Sequence, residues 1–206
     1  LHCLVTNRQT LACDFRGTGP LKKWGARVTF ITGVSTNTGA MRIYEGSWYA
    51  NGQHTVAGAY TVSNNAVLGG AGVIAPAAGN GVTILGTLAP GAEPGACGTL
   101  TLGSAEQATT LTLNGTLALD ISAESCDAVA VQGNVTVGDV LAVTVSADDE
   151  EVWVSRRGEV IPVLKWTGDL GGAAMPSVSG IWEGWKIKVD KAEKTACLFY
   201  VPSGTM

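Results

Sequence analysis

The fold is decided by residues 99–145, where short runs alternate an aliphatic residue with Thr or Ala and are separated by Gly, Asn or Asp. The runs are Thr99-Leu-Thr-Leu102, Thr110-Leu-Thr-Leu113, Thr116-Leu-Ala-Leu-Asp-Ile121, Val129-Ala-Val131, Val135-Thr-Val137 and Val140-Leu-Ala-Val-Thr-Val145. Because successive side chains of a strand point to opposite faces, this alternation predicts half-buried β-strands. Convincing helical periodicity is absent, so we expect an all-β protein. Residues 4–13 are the one segment where a helical turn is also compatible with the sequence.

A weak internal repeat accompanies these strands, in which a Gly precedes a polar and then an aliphatic residue. It occurs at Gly86, Gly98, Gly115 and Gly133, with spacings of 12, 17 and 18 residues. Turns led by Gly at roughly even spacing are typical of a β-solenoid and of a β-sandwich. Periodicity alone leaves both architectures open and favours the solenoid.

Composition excludes several classes of protein. The 206 residues suffice for one domain, and only 15% of them are charged, against about 25% in ordinary globular proteins. Such a chain is too apolar to be intrinsically disordered, and its net charge of −4 excludes a basic nucleic-acid-binding protein. The longest apolar runs span four or five residues, so we expect no membrane span, which needs about 20.

Charge is distributed unevenly along the chain. Residues 43–155 contain no Lys or Arg but eleven acidic residues, whereas residues 1–42 contain six bases and one acid. A long segment without cations cannot bind phosphates or anionic sugars through ion pairs. This distribution therefore argues against a polysaccharide lyase and against any phosphate-binding role for the middle of the chain.

Three consecutive segments carry a family resemblance. They are Leu68-Gly-Gly-Ala-Gly-Val-Ile74, Gly81-Val-Thr-Ile-Leu-Gly-Thr-Leu-Ala-Pro-Gly91 and Pro94-Gly-Ala-Cys-Gly-Thr-Leu-Thr-Leu102. Their order resembles the autotransporter-associated β-strand repeat, and the similarity extends over residues 27–201. It implies a right-handed parallel β-helix outside a bacterial cell, with the tail similar to the capping strands of such passengers. The five cysteines and the missing translocating barrel depart from the family pattern.

The resemblance implies an arrangement in three parts and a mechanical role. We expect an N-terminal segment at 1–26, a strand or arm for assembly; β-solenoid coils at 27–150; and a C-terminal β cap at 151–206, with a β-sandwich as the alternative fold. The predicted function is a non-enzymatic extracellular structural or adhesive protein that assembles end to end into a fibre. The alternative is a carbohydrate-binding adhesin or an accessory module of a polysaccharide-active enzyme.

Catalytic and metal chemistry find little support in the sequence, and no cofactor is predicted. Asp120, Glu124 and Asp127 are candidates for a glycosidase carboxylate pair, but nothing forces them onto one face. His54 has no nucleophile motif near it. The acidic run 148–151 lacks the spacing of a calcium loop, and we interpret it as a solvated turn before a strand at 152–154.

The aromatic residues and the cysteines supply the remaining candidates. Exposed rings stack on sugars, so Trp48, Tyr49, Trp182 and Trp185 are candidate glycan-binding residues, although large aromatics also plug the open end of a solenoid. In an exported protein, Cys3 and Cys13 are candidates for a disulfide across a short loop. The three other cysteines, Cys97, Cys126 and Cys197, would then form one further pair and leave one free thiol. Burial as small apolar residues is equally compatible with all five.

Overall fold

The protein is a parallel β-solenoid in a computed structural model that describes residues 2–4, 8–55, 58–147 and 149–202. For residues 2–4 the description is limited to strand pairing. The elements in chain order are β1 (His2–Leu4), β2 (Gln9–Leu11), β3 (Leu21–Trp24), β4 (Val28–Ile31), β5 (Met41–Ile43), β6 (Gly46–Ala50), β7 (Gln53–His54), β8 (Tyr60–Val62), β9 (Ala66–Gly70), β10 (Val73–Ile74), β11 (Gly81–Ile84), β12 (Thr87–Pro90), β13 (Thr99–Leu102), β14 (Thr109–Leu113), β15 (Thr116–Ile121), β16 (Ala128–Val131), β17 (Gly133–Val137), β18 (Ala142–Ala147), α1 (Glu150–Ser155), β19 (Val160–Trp166), β20 (Leu170–Gly172), β21 (Val178–Ser179), β22 (Trp185–Asp190) and β23 (Thr195–Tyr200).

Three sheets run along the molecule, and each full coil adds one strand to each of them. The first sheet has the order β1-β3-β5-β8-β11-β14-β17-β20, and the second has the order β2-β4-β6-β9-β12-β15-β18-β21. The third sheet has the order β7-β10-β13-β16-β19-β23-β22. Since the described strands of successive coils pair in parallel, the solenoid prediction is confirmed and two face-to-face antiparallel sheets are excluded.

The alternating sequence becomes two kinds of column in this stack. On the first sheet the inward residues Val82, Leu111 and Val135 pair in register and are buried. The outward residues Thr83, Thr112 and Thr136 pair beside them and are half-buried. Aliphatic side chains therefore fill the interior from coil to coil, as the period of two predicts.

The coils lengthen along the chain. The stack also includes more of the sequence than the range 27–150 expected for it. His2 pairs with Lys22, one coil of 20 residues, whereas Val135 pairs with Leu170, a coil of 35 residues. The first strands of the stack lie before residue 27, and β19, β20 and β21 continue it beyond residue 150.

A β cap closes the C-terminal end, as the tail of the sequence predicts. β23 pairs antiparallel with β19, and β22 pairs antiparallel with β23. Trp153 and Trp185 are buried beneath this region, with ring centroids 5.3 Å apart. These two aromatics thus cover the aliphatic interior where the parallel coils end.

One local prediction is wrong, and one open alternative is decided for part of its range. The strand expected at 152–154 is part of α1, because Asp149 caps the helix by accepting a hydrogen bond from the Val152 N–H at 3.1 Å, and Glu150 and Glu151 occupy its first turn. Asp148 lies outside the described residues. Within residues 4–13, residues 9–11 form a strand rather than a helical turn because they pair with β4.

Glycines form the corner between the second and third sheets. Gly70 and Gly91 have φ values of 130° and 105°, and the Gly91 N–H donates to the Gly70 carbonyl at 3.1 Å. A Cβ on Gly70 would lie 2.1 Å from the Ala50 carbonyl oxygen of the preceding coil. The Gly69-Gly70 and Ala89-Pro90-Gly91 motifs therefore mark positions where the backbone of another segment approaches a glycine too closely for a side chain.

Among the described residues, no helix has both the length and the apolar character that crossing a membrane requires.

Candidate functional site

The four predicted glycan-binding aromatics are not brought together on one face. Trp48 points into the interior, Tyr49 points outward, and each is 3% exposed. Trp185 is buried in the cap. Only Trp182, which is 47% exposed, offers a free ring face. A buried ring has no surface on which a sugar can stack, so three of the four residues act as packing groups in this structure.

Tyr49 is buried although it lies on the outside of the second sheet. Its ring stacks on Phe30 of the preceding coil, with centroids 5.3 Å apart, and fills the space that a side chain at Gly69 would need. The guanidinium of Arg8 lies 4.4 Å from the centroid of the Phe30 ring. These contacts form an apolar strip on the outer face of the second sheet.

A loop of residues 91–98, which we call the clasp loop, is anchored around this strip. Asn51 donates to the Ala92 carbonyl at 2.8 Å and accepts from the Ala71 N–H at 3.0 Å. Glu93 forms a 2.6 Å ion pair with Arg8, 85 residues earlier in the chain. The clasp loop therefore ties the coil that contains β2 to the coil that contains β12 along the outside of the solenoid.

The base of the clasp loop meets a group of acidic and sulfur-containing residues, Cys97, Asp120, Cys126 and Asp127, which we call the corner cluster. Asp127 is fully buried and accepts the Gly98 N–H at 2.8 Å and the Asp120 N–H at 2.9 Å. Asp120 accepts from the Ser146 hydroxyl. Asp127 thus fastens the clasp loop to the next coil.

The corner cluster has unusual electrostatics. Burial raises the pKa of Asp127 to about 7, with a further contribution from Asp120, although its two N–H donors act in the opposite direction. Burial, assisted by the carboxylates of Asp120 and Asp127, raises the pKa of Tyr49 to about 12. Of the three glycosidase candidates, Asp120 and Asp127 are neighbours, and both of their side chains already hold structural hydrogen bonds.

A small groove opens beside the corner cluster, with a volume of about 260 Å³. Its lining includes Gly95, Cys97, Asp120, Ser122 and Ser146. The groove is smaller than the sites of about 300–1,000 Å³ that enclose typical small-molecule ligands. Its notable feature is that it gives solvent access to the half-buried Cys97.

His54 lies in the interior, where it has no carboxylate partner that would make it a catalytic base. Its Nδ1 lies 3.1 Å from the Tyr60 hydroxyl, and burial lowers the pKa of His54 to about 4. The nearby residues Thr29, Ser35 and Trp48 each bury a polar side-chain atom that has no hydrogen-bond partner in the protein. The Nε2 atom of His54 is also buried without a partner. The interior of the early coils therefore holds polar groups among aliphatic residues such as Ile31 and Ile43, whereas the coils that follow are more purely aliphatic inside.

A partly exposed aromatic pair was not predicted from the sequence. Trp24 stacks on Tyr44 with centroids 4.1 Å apart and an interplanar angle of 14°, and Trp24 is 39% exposed. The two residues are 20 positions apart, which is one coil in this part of the molecule. Knowing the length of the early coils would have revealed the pair.

The candidate disulfide between Cys3 and Cys13 stays a prediction. Cys13 is exposed, but the side chain of Cys3 lies outside the described residues. Among the described residues, no three His, Cys, Asp or Glu side chains are arranged to hold a metal ion.

In comparisons with known proteins, the chain matches no protein-family model and no curated protein sequence.

Proposed function

We propose that this chain is a non-enzymatic structural or adhesive protein of an extracellular or bacterial surface, a stiff solenoid that associates with copies of itself. The observation that carries the proposal is the continuous aliphatic interior. Leu68, Leu88 and Leu117 are fully buried and stacked in successive coils of the second sheet. An interior of this kind produces rigidity without any ligand, since short strands gain their stability by stacking.

The N-terminal end of the stack supports self-association. β1 and β2 are the first strands of their sheets, and no described strand pairs with their outer edges. Unpaired strand edges are templates for another chain. At the other end, the edge strand β22 carries exposed Lys186 and Lys188, residues of the type that discourage strand addition.

The geometry of β2 permits a selective test. Leu11 accepts a hydrogen bond from the Thr32 N–H of the next coil at 3.1 Å. Because neighbouring residues of a strand direct their backbone groups to opposite sides, the N–H of Thr10 faces the free edge. Thr10→Pro removes that donor and spares the bonds to β4.

We expect the wild-type chain and the control variant Thr10→Ala to form linear assemblies under negative-stain electron microscopy. Thr10→Pro should sediment as a monomer with an unchanged circular dichroism spectrum. A wild-type chain that stays monomeric at high concentration would contradict self-association. Assemblies that persist in Thr10→Pro would show that β2 is not the docking edge.

A carbohydrate-binding adhesin is the second candidate, favoured by the exposed rings of Trp24 and Trp182 and the half-buried ring of Tyr44 beside Trp24. Stacked and exposed aromatics bind sugar faces through apolar and CH–π contacts. A glycan array should then give signals that Trp24→Ala or Trp182→Ala removes. The control Tyr49→Phe, which changes a buried ring, should keep them. An array without signals would exclude this candidate.

A further inference from the structure

We propose that Cys97 and Cys126 form a disulfide that locks the clasp loop to the following coil. The register of the third sheet brings the two residues together. Thr99 pairs with Ala128, and the Ala128 N–H donates to the Gly98 carbonyl at 2.9 Å. Cys97 and Cys126 each stand two residues before this pair, at matching positions of adjacent coils.

The spacing of a parallel sheet suits such a bond. Neighbouring strands lie about 4.7–4.9 Å apart, and disulfides join residues whose Cα atoms are about 4.4–6.8 Å apart. Matching positions also direct their Cβ atoms the same way. The backbone therefore needs no large movement to bring the two sulfur atoms together.

The Cys97 thiol and the backbone next to Cys126 approach the same carbonyl group. The Cys97 Sγ donates to the Asp120 carbonyl at 3.2 Å, and the N–H of Asp127, the residue after Cys126, donates to the same oxygen at 2.8 Å. Cys126 itself forms an isolated bridge with Ile121, one residue further on. The two cysteines thus lie on the same corner of the solenoid.

Arg156 lies beside one of the two sulfur atoms and partly opposes the effect of burial on it. Its guanidinium donates to the Ser122 and Ser125 carbonyls at 3.1 and 2.9 Å, which places it beside Cys126. Burial raises the pKa of the Cys126 thiol, while Arg156 lowers it. The neighbouring Cys97 also raises that pKa, in agreement with the closeness of the two thiols.

The reaction is a two-electron oxidation by a disulfide-bearing oxidant, such as oxidised glutathione. One cysteine thiolate attacks the oxidant and releases one glutathione thiolate. The second cysteine thiolate displaces the other glutathione and closes the protein disulfide. Two protons leave the cysteines, and two glutathione thiols are formed. Cys97, which lines the open groove, is the accessible entry point.

The test begins with fully reduced, folded protein that is incubated with oxidised glutathione and then alkylated. Trypsin cannot separate the two cysteines because residues 43–155 contain no Lys or Arg, whereas cleavage after glutamate, which spares the Glu93–Pro94 bond, yields peptides 46–106 and 125–150. We expect these peptides to appear joined, at their summed mass less two hydrogens, in the wild-type chain. Cys97→Ser and Cys126→Ser should lose the joined species, and the control Cys197→Ser should retain it.

Thermal unfolding gives an independent readout. A disulfide closing a loop of this length should raise the midpoint by about 5–10 °C in the wild-type chain relative to its reduced form. Cys97→Ser should show no such shift. Cys97 and Cys126 recovered fully alkylated, joined to other cysteines, or joined only after oxidation in denaturant would overturn the proposal. The result does not depend on self-association.

Discussion

At the scale of single residues, the buried side chains of Asp127 and His54 both contribute to the pH dependence of stability between about pH 4 and pH 7. Asp127 has a raised pKa in the folded chain, and His54 has a lowered one. Each group is uncharged in the form that the fold favours. Their effects on stability nevertheless have opposite signs, because one is an acid and the other is a base.

The variant Asp127→Asn should reverse in relative stability across the pH range. The folded chain binds a proton at Asp127 up to about pH 7, whereas the unfolded chain releases it near its ordinary value. The stabilisation from this group is therefore complete at low pH and is lost as pH rises through about 7, by up to about 4 kcal/mol. Asparagine does not titrate, and it mismatches one N–H at a cost of about 1–3 kcal/mol.

Urea unfolding at pH 4 and pH 8 measures this effect. We expect Asp127→Asn to be less stable than the wild-type chain at pH 4 and to lose that disadvantage by pH 8. Parallel stability curves for the two proteins would contradict the raised pKa.

The variant His54→Asn should remove a slope of the opposite sign. The unfolded chain binds a proton at His54 below about pH 6.5, which the folded chain resists down to about pH 4. Stability from this group is therefore lost as pH falls through this window, by about 3 kcal/mol. The amide of asparagine can retain a contact with the Tyr60 hydroxyl. Urea unfolding at pH 4.5 and pH 7 should show a smaller loss on acidification in His54→Asn than in the wild-type chain; an equal loss would assign the slope to other groups.

At the scale of elements, turns and corners control how coils stack. Gly70 shows this most clearly, since its φ of 130° and its contact with Ala50 both require the absence of a side chain. Gly171 is a suitable control, because nothing lies within 4 Å of a Cβ built on it.

We expect Gly70→Ala to lower the free energy of unfolding by about 2–4 kcal/mol through strain and displacement of the preceding coil. Gly171→Ala should change it by less than about 1 kcal/mol. Denaturant unfolding of the two variants makes the comparison. Equal effects would mean that the corner adjusts without strain.

The elements also show what the sequence can predict and what it cannot. The Thr-Leu alternation of β13 and β14 predicts strands because its period is unambiguous over four or five residues. Val152-Trp-Val154 has no such signal, because three apolar residues are compatible with either a helix or a strand. The N-capping side chain of Asp149 favours the helix α1, and a search of the sequence for helix N-caps would have identified it.

The candidate sites were less predictable than the fold. The sequence provides no means of knowing that Tyr49 is buried on the outside of a sheet, because the clasp loop and Arg8 that surround it come from distant parts of the chain. The approach of Cys97 to Cys126 likewise depends on the register of β13 and β16. Pairing between coils sets both arrangements, and composition does not report it.

At the scale of the whole molecule, the charge distribution constrains how copies associate. Residues 1–42 carry six bases and one acid, residues 156–206 carry seven bases and five acids, and the segment between them has only acids. Contact between opposite ends brings like charges together. A staggered lateral contact instead places a basic end on an acidic middle.

Ionic strength should therefore distinguish the two modes of assembly. Raising salt from about 0.02 to about 0.2 M shortens the Debye length from roughly 20 to roughly 7 Å and so screens the exposed charges. We expect end-to-end chains to grow longer and lateral bundles to dissociate, as measured by light scattering and electron microscopy. Chains that shorten with added salt would indicate attraction between the ends.

The antiparallel pairing of β23 with β19 has a consequence for the response to a pulling force. Chain drawn from the N-terminus would peel away one turn at a time, releasing about 20 residues per event at first and up to 35 later. The hairpin of β22 and β23 unfolds differently. Its strands pair antiparallel, so a pulling force acts on their hydrogen bonds in a different direction from that in the parallel coils before it. A tethered molecule would thus extend in steps that grow longer and would end at a cap that resists force in a different way from the coils.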